Sequence, residues 1–191
     1  LDKGHTREDF IEAIGLAQRA GLTLSPTFVP FAPWTTIEGY AVLLEDIMAL
    51  DLVGHVSPVQ LAIRLLVPRG SLLIGHPAME EALGAFDPDG LSYQWRHVDP
   101  RVDGLQQGVQ RAVEDGDSAG ESRQTTFARV WALAHSNRRE PAAASIPAAG
   151  RGAAHERALV LLCGTNGPAT QRDLNHGAAT SVGAVLIVSN W

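Results

Sequence analysis

The chain has a single cysteine in its 191 residues. One cysteine cannot form an internal disulfide, which excludes the disulfide-stapled secreted scaffolds and favours a reducing compartment. The chain also lacks the apolar run of about 20 residues that a membrane helix needs, because its longest such run covers only 182–188. No charged segment followed by an apolar stretch stands at the amino end, so no secretory signal is predicted. We therefore expect a cytoplasmic protein with no membrane partner.

An excess of positive charge is lacking too. The formal net charge is -6, and the 15 lysines and arginines are scattered, with only Arg138 and Arg139 adjacent. A nucleic-acid-binding surface needs a basic patch or stripe, so nucleic acid is not an expected partner.

Motifs for phosphate and metal binding are likewise missing. No Gly-x-Gly-x-x-Gly follows a strand and no Gly-x4-Gly-Lys-Ser/Thr occurs, so a nucleotide phosphate cradle is not indicated. The seven histidines are spread along the chain without the i, i+4 spacing that metal ligation favours. Cys163 has no sequence partner that would make it a nucleophile, and a small apolar filler is the simpler interpretation.

What the first 75 residues do contain is an alternation of helix and strand. Thr6 and Asp9 form a capping pattern that predicts a helix from Arg7, and Gly21 is the expected stop. A strand is predicted over 22–29, a second helix after the cap Thr36, and a second strand within 56–67. This order is typical of parallel βα units, and two such units are too few to close a barrel.

The remainder of the chain changes character twice. A short helix is predicted over 77–83, a turn at Asp-Pro-Asp-Gly over 87–90, and helices over 100–113 and 123–135. Residues 138–154 are mostly Pro, Ala, Gly and Arg, which is typical of a linker. We therefore divide the chain into βα units (1–75), a helical extension (76–136) and a disordered linker or tail (137–191).

The stretch LSPTFVPFAPWTT, residues 24–36, is unusual for a strand that feeds a helix. It carries three prolines and Trp34 where a short polar turn would suffice. One interpretation is a strand end shaped to line a ligand pocket, as in α/β enzymes. The alternative is that Pro30 and Pro33 only terminate the strand, since proline cannot continue a ladder. Trp95 and Arg96 pose a similar choice between stacking on a ligand and covering the edge of a core.

Several strings resemble the second half of a radical S-adenosylmethionine (SAM) barrel. In that superfamily a Lys-Gly-x-Thr stretch leads into a helix closing with Ala-Gly, and the next strand ends in Ile-Val-Gly-x-Pro-Gly-Glu-Thr. Residues 3–6 and 20–21 match the first two features, and Pro33 and Thr36 match the Pro and Thr of the third. Pro30 stands where glycine is usual and Thr35 where an acidic residue is usual.

The resemblance is narrower still to radical SAM proteins named for a CUAEP or CCAEP tail, where U is selenocysteine. VPFAPWTT (29–36), QLAIRLLVPRGS (60–71) and LSYQWRHVDPRVDGLQ (91–106) carry it, and the likeness runs over about residues 1–135. It implies an incomplete TIM-type barrel of βα units followed by carboxyl-terminal helices and a disordered tail.

The resemblance also implies cofactors, a mechanism and a site. The intact protein would hold a 4Fe–4S cluster on a Cys-x3-Cys-x2-Cys loop in the missing amino-terminal half of the barrel. Cluster and SAM would generate a 5′-deoxyadenosyl radical that attacks a small-molecule or peptide substrate of unknown identity. The implied SAM-pocket residues of this chain are Phe28, Val29, Pro30, Thr35, Leu66 and Val67. His5 and Thr6 would either face the ribose or methionine part of SAM or only cap the first helix.

With one cysteine, this chain is expected to hold no such cluster and to be inactive alone. A second hypothesis, from another class, is a non-catalytic α/β interaction module that pairs with a missing half or a partner through an open strand edge.

The tail motif of the family is not in the printed sequence, but a shifted reading frame can supply it. Permissible codons for ERALVLLCGTN (156–166), read one base later, give Ser-Glu-Pro-Trp-Tyr-Cys-Cys-Ala-Glu-Pro. We hypothesise that the frame slips between His135 and Glu156, where the composition changes. The alternative is an authentic carboxyl end whose final strand packs on the rest of the chain.

Overall fold

The computed structural model describes residues 6–138 and the backbone of two further strands. In chain order the elements are α1 (Arg7–Arg19), β1 (Leu24–Val29), α2 (Ile37–Ala49), a 3-10 helix (Pro58–Leu61), α3 (Pro77–Glu80), β2 (Leu83–Asp87), β3 (Ser92–Trp95), α4 (Pro100–Ser118), α5 (Arg123–Arg138), β4 (Leu162–Gly164) and β5 (Ala184–Ser189). The predicted mixed α/β class is confirmed, and the residues described do not form a closed barrel.

Helix α1 begins and ends where the sequence predicts. The Thr6 hydroxyl accepts a hydrogen bond from the Asp9 N–H at 3.2 Å, and the Asp9 carboxylate accepts from the Thr6 N–H at 2.6 Å. This capping box satisfies two backbone donors that the helix itself leaves unpaired. Gly21 follows the helix with φ of +68°, a left-handed conformation that glycine adopts without strain.

Strand β1 is buried on one face. Leu24, Pro26 and Phe28 are buried, whereas Thr27 and Val29 on the other face are half-buried. The Phe28 ring meets Phe10 of α1 edge-on, with 6.2 Å between ring centroids. The period of two therefore divides the strand into a face directed at the helices and a face directed away from them.

An ion pair joins helices α1 and α2. The Arg7 guanidinium donates to both carboxylate oxygens of Asp46, with Nε–Oδ2 at 2.7 Å, and the Asp46 side chain is only 9% exposed. Hydrogen bonding to Asp46 raises the pKa of Arg7 further above its usual range. Helix α2 itself starts at the predicted cap, because the Thr36 hydroxyl accepts from the Gly39 N–H at 2.9 Å.

The larger of two hydrophobic cores lies between β1 and the helices. It takes apolar side chains from α1, β1, α2, the 3-10 helix, α4 and α5. Its largest fully buried members are Tyr40, Phe10, Phe28, Phe31, Ile14, Leu43, Leu44, Ile47 and Leu61. The helices after residue 100 therefore belong to the same core as the βα segment.

The predicted second strand over 56–67 is mostly wrong. Pro58 starts a 3-10 helix, and only Arg64 forms a β-bridge, parallel to Phe31. The Gln60 side chain stands where a ladder partner would be, and its Oε1 accepts from the Phe28 N–H at 3.3 Å. A proline at the start and a side-chain amide serving the neighbouring strand favour the helical turn over a regular strand.

The predicted helical extension over 76–136 also needs correction. Helix α3 covers four residues only, and β2 and β3 pair as an antiparallel hairpin around the predicted turn at 87–90. The hairpin forms because β-prone runs flank the strong turn signal at 87–90. The helix prediction for 77–83 does not take these runs into account. Helices α4 and α5 are present and each extends a few residues beyond the predicted end.

Two short segments of the predicted tail have a described backbone. Strand β5 pairs in parallel with β1, from Leu24 opposite Ala184 to Val29 opposite Ser189, and β4 pairs antiparallel with β5. The prediction of a tail without secondary structure differs from the structure there. An apolar run beside an open strand edge is the physical reason. The other residues beyond 138 lie outside the described structure, and so does the proposed frame slip.

Among the helices described, none is long and apolar enough to cross a membrane.

The start of α4 generates a test of pH dependence. The Asp99 carboxylate accepts from the Arg101 N–H at 2.9 Å and from the Arg101 guanidinium at 2.6 Å. Hydrogen bonding to Arg101 lowers the pKa of Asp99. Because the folded pKa lies below the unfolded value of about 4, this stabilisation is full above that value and is lost as pH falls through the folded pKa.

We therefore compare Asp99→Asn, which keeps an acceptor for the helix cap, with Asp99→Ala, which removes it. At pH 7 the alanine variant should lose about 1 kcal/mol of unfolding free energy, and the asparagine variant should lose less. Urea unfolding at pH 7 and at pH 3 measures both. The deficit of Asp99→Asn should shrink at pH 3, and a deficit that grows there would contradict the assigned direction.

Candidate functional site

The turn after β1 is built around one buried hydroxyl. Thr35 is 2% exposed, and its Oγ1 accepts from the Ala32 N–H at 2.8 Å and donates to the Pro30 carbonyl oxygen at 2.9 Å. Pro30 and Ala32 are buried as well, so their backbone groups have little access to water. Burying such irregular backbone is costly unless its polar groups are paired. Thr35 therefore fixes the shape of the 30–35 turn.

The turn lies beside a second chain segment that runs in the same direction. The Phe31 N–H donates to the Ile63 carbonyl at 3.2 Å, and the Leu65 N–H donates to the Phe31 carbonyl at 2.7 Å. These two bonds form the parallel bridge between Phe31 and Arg64. Because the segments are parallel and α2 connects them, the loops that follow each one leave at the same end. In parallel α/β proteins that carboxyl end is where ligands bind.

Arg64 holds this second segment in place. Its guanidinium lies 3.8 Å from the centroid of the Trp95 ring, donates to the Trp95 carbonyl at 2.8 Å, and donates to Asp103 Oδ1 at 2.7 Å. The Trp95 Nε1–H donates in turn to the Leu65 carbonyl at 2.8 Å. The 63–65 segment is thus connected to β3 and α4 as well as to Phe31. Of the two interpretations of Trp95, the structure favours a core edge, since the ring is 7% exposed.

A second, smaller core lies under these loops. Its buried members are Val67, Met79, Ala82 and Trp95, and Trp34 packs against them. The Tyr93 N–H also donates to the Val67 carbonyl at 2.8 Å. The tryptophan of the unusual 24–36 stretch therefore packs against this smaller core, to which the hairpin contributes Trp95.

The six residues implied by the resemblance occupy three kinds of position. Phe28 and Val67 are fully buried in the two cores, and Pro30 and Thr35 are buried in the turn. Val29 is half-buried on the face of β1 that points away from the helices, and Leu66 is 70% exposed. Of the six, only Val29 and Leu66 are not buried.

The first residues of the chain bear on the site less directly. Thr6 caps α1, as one of its two predicted roles requires, and both its hydroxyl and its N–H are engaged with Asp9. His5 lies outside the described residues. Its predicted position near SAM stays a prediction.

A fully buried tyrosine supports the floor of the site. The Tyr40 O–H donates to the Leu61 carbonyl at 2.9 Å, and its ring stacks on Phe31 with 4.7 Å between centroids. Burial raises the pKa of Tyr40 well above its usual range, so the hydroxyl stays protonated. The contact fixes the end of the 3-10 helix relative to the Phe31 bridge.

The described residues include no group of metal ligands, and the two cavities lie away from the 30–35 turn. In the part of the chain that the structure describes, no three His, Cys, Asp or Glu residues are grouped to hold a metal ion. A cavity of about 230 Å³ lies at the opposite, amino end of β1, lined by Leu24, Leu52 and His55 among others. A groove of about 460 Å³ lies between α4 and α5, with Arg111, Asp115 and Arg129 along it.

Sequence reasoning missed Arg64 as the central anchor. It lies in QLAIRLLVPRGS as a charged residue in an apolar run, which is a signal for a buried or stacked role. Its partners come from residues more than thirty positions away, and periodicity within one segment cannot identify them.

Comparison with known proteins leaves the family open: no protein-family model, curated protein or solved structure matches this chain.

The role of Thr35 is tested by isosteric replacement. Thr35→Val keeps the volume but leaves the Ala32 N–H and the Pro30 carbonyl without this partner, so it should cost about 1–3 kcal/mol. Thr35→Ser keeps the hydroxyl and should cost less than half as much. Thermal and urea unfolding measure the difference, and a serine variant as unstable as the valine variant would refute the hydrogen-bonding role.

The role of Arg64 is tested by Arg64→Lys. Lysine keeps the charge but cannot stack and donate to two acceptors in a fork, so we expect a loss of about 1–3 kcal/mol in urea unfolding. Arg96→Lys is the matched control, because Arg96 is exposed and adjacent to Trp95, and it should change stability by less than about 0.5 kcal/mol. Equal effects of the two substitutions would argue against an anchoring role.

Proposed function

We propose that this chain is part of a radical SAM barrel and supplies SAM-facing ends of two parallel segments. The observation that carries the proposal is the parallel alignment of Phe31 with Arg64, which brings the 30–36 and 66–70 loops to one end of the α/β layer. The strings that resemble the family, 29–36 and 60–71, are the same two loops with their preceding segments. Ligand binding at this end is the general expectation for parallel α/β folds.

The six residues would contribute in different ways. Val29 and Leu66 have accessible apolar surface and would contact the adenine part of SAM. Pro30 and Thr35 would act by fixing the turn, and Phe28 and Val67 by holding the strand ends against the two cores. Side-chain contact with SAM is thus assigned to two of the six.

The cluster does not fit this chain. A 4Fe–4S site in this family needs three thiolates, and the sequence has one cysteine, Cys163. We derive no chemical step from these residues. SAM cleavage, with a small-molecule or peptide substrate, would require the amino-terminal half of the barrel. The single cysteine is also the reason for keeping the cytoplasm as the proposed location.

The experiment is a titration of the full chain with SAM, followed by two-dimensional NMR. We expect weak binding, with shifts at Val29, Phe31 and Leu66. Val29→Glu should weaken binding at least about tenfold because it places a carboxylate against the ligand and must desolvate it. Val59→Glu is the control, because Val59 is 53% exposed on the 3-10 helix. Shifts confined to other parts of the chain, or none at 10 mM SAM (roughly a -2.7 kcal/mol interaction), would overturn the proposal.

A second candidate function has its own observation. The edge of β1 pairs in parallel with β5 of the same chain. We propose on this ground, as the second candidate, a non-catalytic α/β interaction module that pairs with a missing half or a partner through a strand edge, and this candidate does not depend on SAM.

A further inference from the structure

The loop that follows the second parallel segment carries apolar side chains in contact with solvent. Leu72 is 98% exposed, the highest value among the large hydrophobic residues described, and Ile74 is 38% exposed. Leu66, just before the loop, is 70% exposed. Exposed apolar residues that lie close together are typical of a surface that contacts a ligand or a partner. The loop therefore offers contact surface at the carboxyl end of the parallel segments.

Two glycines in left-handed conformations bracket this apolar stretch. Gly70 has φ of +77° and Gly75 has φ of +83°. At both positions an added Cβ would meet none of the described atoms within 4 Å, so the requirement for glycine is one of backbone conformation and not of space. Because glycine adopts positive and negative φ with similar ease, residues 71–74 can change direction as a unit at these two points.

The hydrogen bonds described for the stretch are local. The Ser71 N–H donates to the Pro68 carbonyl at 3.1 Å, and the Ile74 N–H donates to the Ser71 carbonyl at 3.1 Å. The Leu73 N–H donates to Ser71 Oγ at 3.3 Å, and the Leu73 side chain packs against the smaller core. Bonds inside a turn move with it, so a rotation of 71–74 mainly changes the contacts of Leu73.

Both ends of the stretch are fixed, in contrast. On one side the Arg69 guanidinium lies 4.0 Å from the centroid of the Phe86 ring in β2. On the other side His76 caps α3, and its Nδ1 accepts from the Ala78 N–H at 3.2 Å. A short stretch that two permissive residues connect to fixed ends is the arrangement of a hinged loop.

We propose that residues 71–74 form a lid, hinged at Gly70 and Gly75, that closes Leu72 over a ligand held at the carboxyl end of the parallel segments. The lid rests on the proposed function, since the ligand it covers is SAM, and Leu72 would join Leu66 against the adenine part. Closure transfers a fully exposed apolar side chain from water to the ligand and excludes water from the site, as loops that close on binding do.

NMR relaxation dispersion on the free full chain tests the hinges. The amides of 71–74 should exchange with one common rate on the microsecond-to-millisecond scale, and those of Arg69 and His76 should not. Gly75→Ala should shift this equilibrium roughly tenfold away from the conformation with positive φ. Gly21→Ala is the matched control, because Gly21 also has positive φ and open space around it but follows α1. No exchange, exchange that includes Arg69 and His76, or an equal response to Gly21→Ala would overturn the lid.

Alkylation of a Leu72→Cys variant tests closure on the ligand. With Cys163→Ser to leave one thiol, its reaction with iodoacetamide should slow at least about fivefold when SAM is bound. Val59→Cys in the same background is the control, because Val59 is 53% exposed on the 3-10 helix, and its rate should not change.

SAM binding is followed separately in the same samples by the shift of the Val29 amide. A Val29 shift without slower alkylation of Leu72→Cys, or with equal slowing of Val59→Cys, would overturn the lid and leave the proposed function standing. No shift at Val29 would overturn the lid together with the proposed function.

Discussion

The parallel bridge between Phe31 and Arg64 is the contact on which the candidate site depends. Two backbone hydrogen bonds alone would hold it weakly, because each contributes about 1 kcal/mol net. Arg64 strengthens it by reaching two other elements at once, the carbonyl and ring of Trp95 and the carboxylate of Asp103. Without Arg64 the segment after the 3-10 helix would lose its ion pair with α4, and only the Trp95 Nε1–H bond to Leu65 and the Tyr93 N–H bond to Val67 would connect it to β3.

Side-chain hydrogen bonds replace a regular ladder around this bridge. Gln60 accepts from the Phe28 N–H, and Tyr40 donates to the Leu61 carbonyl. Thr35 accepts from one backbone group of the 30–35 turn and donates to another. A regular second strand would have satisfied the first of these with backbone alone. The consequence is a rigid but irregular strand end, and this is the kind of backbone that a ligand site uses.

Local signals in the sequence were sufficient for the ends of the helices and for β1. The capping signals are the Thr6–Asp9 box, Gly21 and Thr36. Each acts within about one helical turn, so both partners of the interaction stand close together in the sequence and can be recognised there. The 56–67 segment was misassigned because its conformation depends on Phe28 and Tyr40, which are distant in the chain. The hairpin was missed although its turn was predicted, because its strands are short. The site residues were predicted as one pocket wall, and their burial separates them into accessible and supporting positions.

Strand β5, which lies in the predicted tail, pairs with the edge of β1. An edge with a full set of backbone donors and acceptors recruits an apolar, β-branched run whatever the origin of that run. The pairing of β5 is therefore compatible with an authentic carboxyl end and with a segment read in a shifted frame. Their difference lies in the encoding DNA.

Sequencing that DNA, upstream of Leu1 and through the stop codon, tests the central claim of a radical SAM relationship most directly. We expect Cys-x3-Cys-x2-Cys upstream and SEPWYCCAEPT in the shifted frame after His135. Finding neither would contradict the relationship.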